Sequence, residues 1–296
     1  MTPEIQKTPI GPFTATALRF PSNGAPVHFY HANGFGADCY TPFLTQVAPR
    51  CSLSALNMRP LWPDGPAPVP RRGWEQYGDD LIAWLEATQS EPVWAIGHSM
   101  GAATTAMAAN KRPDLFRGLV LVEPAGVTYR LYRMFRLVPY RMRRRMDPAH
   151  SAFHRRSHWP TRTEALQEFR RVGAYKRFSD YDLKSLVEAV TVADNTGFRL
   201  AFPLDWEAHN YVMPPYILPT LKRLSVPTRI IAAKPSLFVD PSILKSLAKA
   251  RPDIPITTLS EHGHLLPLEA PFPTADAVNA ALDVLQSDAN SATTHA

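Results

Sequence analysis

The chain has 296 residues, of which 45% are apolar and 20% charged, so its composition is that of a globular protein with one large domain or two small ones. No apolar run approaches the roughly 20 residues that span a bilayer, and the first residues lack the basic and apolar segments of a signal peptide, so we expect a cytoplasmic protein. The two cysteines, Cys39 and Cys51, exclude a framework of several disulfides and lack metal-binding spacing, and we expect neither a metal nor a cofactor.

The N-terminal third predicts edge strands followed by the start of a parallel sheet. Apolar and polar residues alternate over residues 14–20, which predicts an edge strand. Residues 27–30 form a short apolar strand that enters a glycine-containing turn at residues 31–36, and residues 52–56 form a weaker strand. After a proline-rich loop, apolar residues at helical spacing predict a helix over residues 74–87.

The central motif lies between a buried strand and a helix. Residues 93–96 are a continuous apolar run, typical of a strand buried on both faces. They lead into Gly97-His98-Ser99-Met100-Gly101, and residues 102–110 form a helix of small residues. The next strand, residues 118–122, ends at Glu123.

The C-terminal part repeats the alternation of strands and helices. Strands are predicted over residues 228–233 and 256–259, and helices over residues 241–250 and 275–285. This alternation predicts an α/β fold with a doubly wound, mostly parallel sheet and right-handed crossovers.

Residues 126–221 interrupt this rhythm, and the net charge of +6 is concentrated there. Residues 128–177 contain 14 Lys and Arg against 3 Asp and Glu, whereas the rest of the chain is net acidic. We therefore predict a helical cap, residues 126–221, over the edge of the sheet where α/β proteins bind ligands. The core domain then comprises residues 1–125 and 222–286, and the small polar residues 287–296 predict a disordered tail.

Ser99 is the predicted nucleophile, because a sharp turn from strand to helix exposes the serine oxygen and the flanking glycines avoid Cβ clashes. A serine needs a base, and His264 follows the last predicted strand and can lie over Ser99. His262 is the alternative base. Two backbone N–H groups should form the oxyanion hole, and those of Met100 and Phe35 have suitable positions in the sequence.

These motifs resemble the α/β-hydrolase family. The residues Asn33-Gly34-Phe35, Gly97-His98-Ser99-Met100-Gly101 and Gly263-His264 occur in the family's chain order, and the chain is most similar to capped serine esterase-like members. Haloalkane dehalogenases and epoxide hydrolases carry aspartate at the position of the nucleophile in this strand-to-helix turn, so Ser99 argues against both. Residues 57–60 depart from the Asp-x-Arg-Gly of many members.

The acid of the catalytic triad is the largest departure from that pattern. The resemblance implies an acid three residues after the strand 228–233, but this position is Ser236. The next carboxylate, Asp240, precedes Pro241 and has the pattern of a helix N-cap. Glu123 ends the strand after the nucleophile, a place where haloalkane dehalogenases can carry their acid. We therefore expect Glu123 as the acid and keep Asp240 as the alternative.

The function that follows is hydrolysis of a small carboxylic ester, thioester or lactone through an acyl-enzyme. The alternatives are a ligand-binding protein on the same scaffold, and a C–C bond hydrolase or cofactor-free haloperoxidase. Arginines between residues 130 and 145 alternate with apolar residues, which fits either weak contact with a membrane surface or a cap helix with solvated arginines. We expect no nucleic-acid partner, and the sequence does not indicate an oligomeric state.

Overall fold

The computed structural model describes residues 2–236 and 238–294. Within these residues the strands, in chain order, are β1 (Glu4–Ile10), β2 (Phe13–Phe20), β3 (Pro26–Tyr30), β4 (Ser52–Leu56), β5 (Val93–His98), β6 (Phe116–Val122), β7 (His158–Trp159), β8 (Thr191–Asp194), β9 (Gly197–Leu200), β10 (Thr228–Lys234) and β11 (Ile256–Ser260). The helices are α1 (Thr41–Val47), α2 (Glu75–Thr88), α3 (Met100–Lys111), α4 (Tyr129–Leu137), α5 (Tyr140–Arg143), α6 (Ala149–His154), α7 (Arg162–Arg171), α8 (Asp180–Val190), α9 (Leu204–Val212), α10 (Leu218–Lys222), α11 (Pro241–Ala250), α12 (Leu266–Glu269) and α13 (Pro271–Thr294).

The central sheet has eight strands in the order β1-β2-β4-β3-β5-β6-β10-β11. The pairs β1–β2 and β2–β4 are antiparallel, and the strands from β4 to β11 are parallel. This arrangement confirms the expected α/β class with a mostly parallel sheet. Strand β5 lies between β3 and β6 and is parallel to both, so the carboxyl ends of the three strands lie at the same edge of the sheet. Ser99 follows β5 at this edge.

Two hydrophobic cores cover the two faces of the sheet. Alternate residues of the parallel strands point to opposite faces, so Ile96 and Val120 belong to the core under α1 and α13. Ala95, Leu119 and Leu121 belong to the core under α2 and α3. Burial on both faces of the sheet explains why residues 93–96, the predicted part of β5, are all apolar.

The cap elements lie between β6 and β10, as the interrupted rhythm predicts. The structure differs from a wholly helical cap, because β7, β9 and β8 form a three-stranded antiparallel sheet there. These strands are two to four residues long, too short to show a period-two pattern. The domain bounds at residues 126 and 221 stay predictions.

The C-terminal segment also differs from its prediction. Helix α13 begins at Pro271 and continues through Thr294, so residues 287–294 of the tail predicted as disordered are helical, and residues 295 and 296 lie outside the described part of the chain. Extending an existing helix adds a hydrogen bond for each residue fixed and avoids the cost of nucleation. Within the described part of the chain, no helix is long and apolar enough to cross a membrane.

Candidate active site

Ser99 occupies a strained turn between β5 and α3. Its φ and ψ angles are 56° and −116°, a conformation that non-glycine residues rarely adopt. The turn is held by the Ser99 N–H, which donates to the carbonyl oxygen of Val122 at 2.9 Å, and by the Ser99 carbonyl oxygen, which accepts from the N–H of Ala103. Such strain persists where the surrounding structure over-determines it, and here it holds the serine hydroxyl at the carboxyl edge of the sheet.

The two glycines of the motif are required by close backbone contacts. A Cβ atom on Gly101 would lie 2.2 Å from the carbonyl oxygen of Tyr30, and one on Gly97 would lie 2.5 Å from the Cα atom of Ala102. Real Cβ atoms do not approach backbone atoms so closely. The Gly-x-Ser-x-Gly pattern therefore lets α3 pack directly against the ends of β3 and β5.

Ser99, His264 and Glu123 form one hydrogen-bonded row. The Ser99 hydroxyl oxygen lies 2.7 Å from Nε2 of His264, and Nδ1 of His264 lies 2.9 Å from Oε2 of Glu123. All three side chains are buried. Because an ionised carboxylate only accepts hydrogen bonds, Nδ1 carries the proton and Nε2 presents its lone pair to Ser99. His262 is half-buried and is not among the described residues that line the cavity around Ser99.

Glu123 is fixed by β10 and the segment after it. Oε1 of Glu123 accepts from the N–H of Ala233 at 2.6 Å, and Oε2 accepts from the hydroxyl of Ser236. The N–H of Glu123 donates to the carbonyl oxygen of Ile231 at 2.8 Å. Ser236 thus stands where the family pattern implies an acid, and its hydroxyl supports the carboxylate that reaches His264 from the neighbouring strand.

Asp240, the alternative acid, has a different contact. It is the N-cap of α11, where its carboxylate accepts from the N–H of Ser242 at 2.8 Å, and its side chain is exposed. These hydrogen bonds with Ser242 hold the pKa of Asp240 below its usual value. The structure therefore brings Glu123, and not Asp240, to His264.

His98 adds a contact that the sequence reasoning missed. Its Nε2 lies 2.8 Å from the carbonyl oxygen of His264, and its Nδ1 lies 2.8 Å from the hydroxyl of Tyr40. A carbonyl oxygen only accepts, so Nε2 donates and Nδ1 accepts from Tyr40. Burial lowers the pKa of His98 to about 3, which keeps the ring neutral. His98 thereby fixes the backbone that carries His264, and its position beside Ser99 in the motif was the available signal.

The residues predicted for the oxyanion hole, Phe35 and Met100, line the same cavity as Ser99. Among the described residues, neither backbone N–H donates to a protein acceptor. The N–H of Met100 belongs to the first turn of α3, where unsatisfied N–H groups and the helix dipole favour a negative charge. Two free donors beside a serine hydroxyl are the arrangement that stabilises a developing oxyanion.

A cap helix holds the loop that carries Phe35, residues 33–36, which we call the oxyanion loop. The side-chain amide of Asn33 donates to the carbonyl oxygen of Glu207 at 3.1 Å and accepts from Nδ2 of Asn210 at 2.8 Å. Tyr77 donates to Oδ1 of Asn210 at 2.8 Å. These groups are buried, so α9 anchors the oxyanion loop through a satisfied polar network.

The cavity around Ser99 has a volume of about 630 Å³. Its floor includes Ser99 and His264, and α4 of the cap contributes three apolar side chains to its walls, those of Leu131, Met134 and Phe135. A recess of about 100 Å³ adjoins His264 and is lined by polar as well as apolar residues. No group of three or more His, Cys, Asp or Glu in the described residues could hold a metal ion.

The recess contains two arginines, Arg155 and Arg177. Nη2 of Arg155 lies 2.5 Å from Oε2 of Glu207, so this ion pair neutralises the charge of Arg155. Arg177 is exposed and forms no ion pair within the described residues. Its guanidinium is therefore the cation that an incoming anion could contact beside His264.

Comparison with known proteins gives a family model and several relatives that each cover most of the chain. A model of the alpha/beta hydrolase family matches residues 27–277. The 2-(acetamidomethylene)succinate hydrolase of Mesorhizobium japonicum is 21% identical over 269 residues, which cover 90% of this chain and 91% of that protein. The crystal structure of an E-2-(acetamidomethylene)succinate hydrolase has a TM-score of 0.79 at 18% identity and covers 95% of this chain and 99% of its own. The thioesterase domain of the curacin biosynthetic pathway has a TM-score of 0.73 at 17% identity, with 95% and 100% covered.

Proposed function

The chain belongs to the alpha/beta hydrolase family, and on this premise we propose that it is a serine hydrolase that cleaves a carboxylic ester, thioester or lactone through an acyl-enzyme. The observation that carries the proposal is the row from Ser99 through His264 to Glu123, with hydrogen-bond distances of 2.7 and 2.9 Å. A protein that only binds a ligand has no need of a nucleophile aligned with a base and an acid.

In the first step, His264 accepts the proton of Ser99 at Nε2 while the serine oxygen attacks the acyl carbon. The carboxylate of Glu123 stabilises the imidazolium that forms and keeps the ring in the required orientation. The N–H groups of Phe35 and Met100 donate to the oxyanion of the tetrahedral intermediate. His264 then gives its proton to the leaving alcohol or thiol.

Water releases the acyl group in the second half of the reaction. His264 removes a proton from the water, which attacks the acyl carbon, and Ser99 recovers its proton when the acid leaves. The apolar side chains of α4 that line the cavity favour a substrate whose acyl or alcohol part is apolar. Because these side chains come from the cap, we propose that the cap determines substrate choice and leaves the chemistry to the sheet.

A second candidate is hydrolysis of an amide or C–C bond in a substrate that carries carboxylates. The curated relative is named for a substrate with an acetamido group and a succinate. The guanidinium of Arg177 in the recess beside His264 is a suitable partner for a carboxylate. Both candidates use Ser99 and His264, so they differ in the bond that is cleaved and in the need for Arg177.

The test of the proposal combines a fluorophosphonate probe with a panel of substrates, applied to the full chain. We expect Ser99→Ala to abolish both covalent labelling and turnover, with an unchanged circular dichroism spectrum, whereas Ser90→Ala, on the surface, should leave both intact. The panel contains p-nitrophenyl esters of increasing acyl length and N-acyl amides of dicarboxylic acids.

The outcomes separate the candidates. Burst release of p-nitrophenol, with faster turnover of the esters than of the amides, supports the ester hydrolase. Faster cleavage of the acidic amides than of the esters, lost in Arg177→Gln, supports hydrolysis of a substrate that carries carboxylates. If the chain is not labelled and hydrolyses neither class, the enzyme proposal fails and a ligand-binding role takes its place.

A further inference from the structure

Residues 129–145 of the cap comprise helices α4 and α5 and the two residues that follow them, and we call them the α4–α5 segment. Helix α4 lines the cavity around Ser99. Leu131 lies one helical turn before Met134 and Phe135, and all three side chains line the cavity. Within the cap, the rings of Tyr129 and Tyr132 contact the ring of Tyr216, with centroid distances of 5.5 and 6.4 Å.

The outer side of the segment exposes large apolar side chains. None of the nine residues of α4 is buried. The side chain of Leu137 is 80% exposed, that of Met142 57% and that of Tyr129 53%. Single exposed apolar residues are ordinary, but several on consecutive helices mark an interaction surface.

The same segment is strongly cationic. Residues 129–145 contain seven arginines and no acidic residue. Arg143 turns inward and donates to the carbonyl oxygen of Val212 at 3.0 Å. The other six form no salt bridge within the described part of the chain, namely Arg130, Arg133, Arg136, Arg141, Arg144 and Arg145.

Six cations without acidic partners beside exposed aliphatic side chains match the chemistry of an anionic bilayer surface. We propose that the α4–α5 segment docks the protein on anionic lipid membranes. An acidic protein or a nucleic acid would pair with the arginines but would leave Leu137 and Met142 in water. A bilayer also accepts these apolar side chains at the boundary of its acyl region.

Docking in this orientation has a consequence for the active site. Helix α4 carries the exposed surface on one side and an apolar wall of the cavity on the other, so in a docked protein this helix alone would separate the cavity from the bilayer. An amphipathic acyl substrate could then enter from the lipid phase, and this step rests on the proposed function. The binding itself does not, because it requires neither Ser99 nor His264.

The binding experiment uses the full chain with Ser99→Ala, so that catalysis plays no part, in flotation with vesicles. We expect binding to vesicles of phosphatidylcholine with 30% phosphatidylglycerol, weak binding to pure phosphatidylcholine, and a decrease with salt. Each arginine near such a surface contributes roughly a factor of five in affinity. The triple variant Arg130→Gln/Arg133→Gln/Arg136→Gln should therefore bind on the order of 100-fold more weakly.

Two controls separate a docking surface from net charge. Arg50→Gln/Arg112→Gln/Arg117→Gln removes the same charge from exposed arginines near the opposite edge of the sheet, and it should bind as the parent does. Leu137→Ser should weaken binding several-fold. The proposal is overturned if the anionic vesicles do not bind at low salt, if the control triple loses affinity equally, or if Leu137→Ser has no effect, which would indicate a soluble polyanion as the partner.

Discussion

Replacing Glu123 with glutamine tests the residue of the candidate site that departs from the common family pattern. The two carboxylate oxygens of Glu123 meet three donors, which are the N–H of Ala233, the hydroxyl of Ser236 and Nδ1 of His264. A glutamine offers one oxygen and one NH₂ group in the same space. The N–H of Ala233 belongs to β10 and cannot turn away, so the amide oxygen must take the place of Oε1.

The NH₂ group then faces Nδ1 of His264, which must accept instead of donate. The imidazole proton moves to Nε2 and points at Ser99, and this tautomer cannot take the serine proton. The hydroxyl of Ser236 can rotate to accept, so no buried group is left unpaired and the fold should persist. Loss of the correct tautomer in a comparable triad lowers kcat by about 10⁴, which corresponds to about 5.5 kcal/mol of activation free energy.

The assay measures kcat and KM on the best ester of the panel, with thermal unfolding as the check on folding. We expect a fall in kcat of about 10⁴ with KM nearly unchanged. The nitrogen signals of His264 in an NMR spectrum should show the proton on Nε2. Asp240→Asn is the matched control. Asp240 is the exposed N-cap residue of α11, so its replacement should change kcat by less than about threefold. A kcat for Glu123→Gln within tenfold of the parent, or a collapse in Asp240→Asn, would refute this reasoning.

Three further predictions concern the framework of the site. Gly101→Ala should destabilise the fold by more than about 3 kcal/mol, because the added methyl group would collide with the carbonyl oxygen of Tyr30. Gly173→Ala is the control, since its methyl group would lie in open space, and it should leave the free energy of unfolding in a urea titration unchanged. Asn210→Asp replaces the amide that donates to the oxyanion loop, so kcat should fall roughly tenfold or more with little change in KM, and equal losses in both would contradict a positioning role. Acidification should destabilise the protein, because burial lowers the pKa of three histidines to about 3 or 4, and the unfolded chain therefore binds protons that the folded chain does not. Each should contribute a loss of up to about 1.4 kcal/mol per pH unit between pH 6.5 and about 4, and equal urea midpoints at pH 7 and pH 5 would exclude it. These histidines are His28, His31 and His98, with pKa values of about 3, 4 and 3.

Sequence reasoning was most successful where a structural pattern lies in neighbouring residues. The Gly-x-Ser-x-Gly turn follows an apolar strand and precedes a helix of small residues, and the structure has β5, the strained Ser99 and α3 in this order. The bounds of α11 were predicted to the residue, because proline at its first position and an aspartate cap define its start. Glu123 was chosen because the expected position held Ser236, which cannot carry a negative charge.

Sequence reasoning was least successful for short and marginal elements. The cap strands β7, β8 and β9 were missed because pairing between them, and not their own pattern, makes them strands. The tail after Gln286 is small and polar, which resembles disorder, yet it continues the preceding helix. The predicted membrane contact remains a proposal, since it depends on which arginines lack partners in the folded chain.

The sequence by itself determined the fold class and pointed to Ser99, His264 and Glu123 as the candidate site, because each is indicated by a local pattern of turns, strands and residue types. The tertiary structure alone decided how these residues are held. Asn210 reaches Asn33 across 177 positions, and His98 reaches the backbone of His264 across 166. Local sequence cannot specify such contacts, because a hydrogen bond between distant residues exists only after the sheet and the cap have folded together and excluded water from both partners.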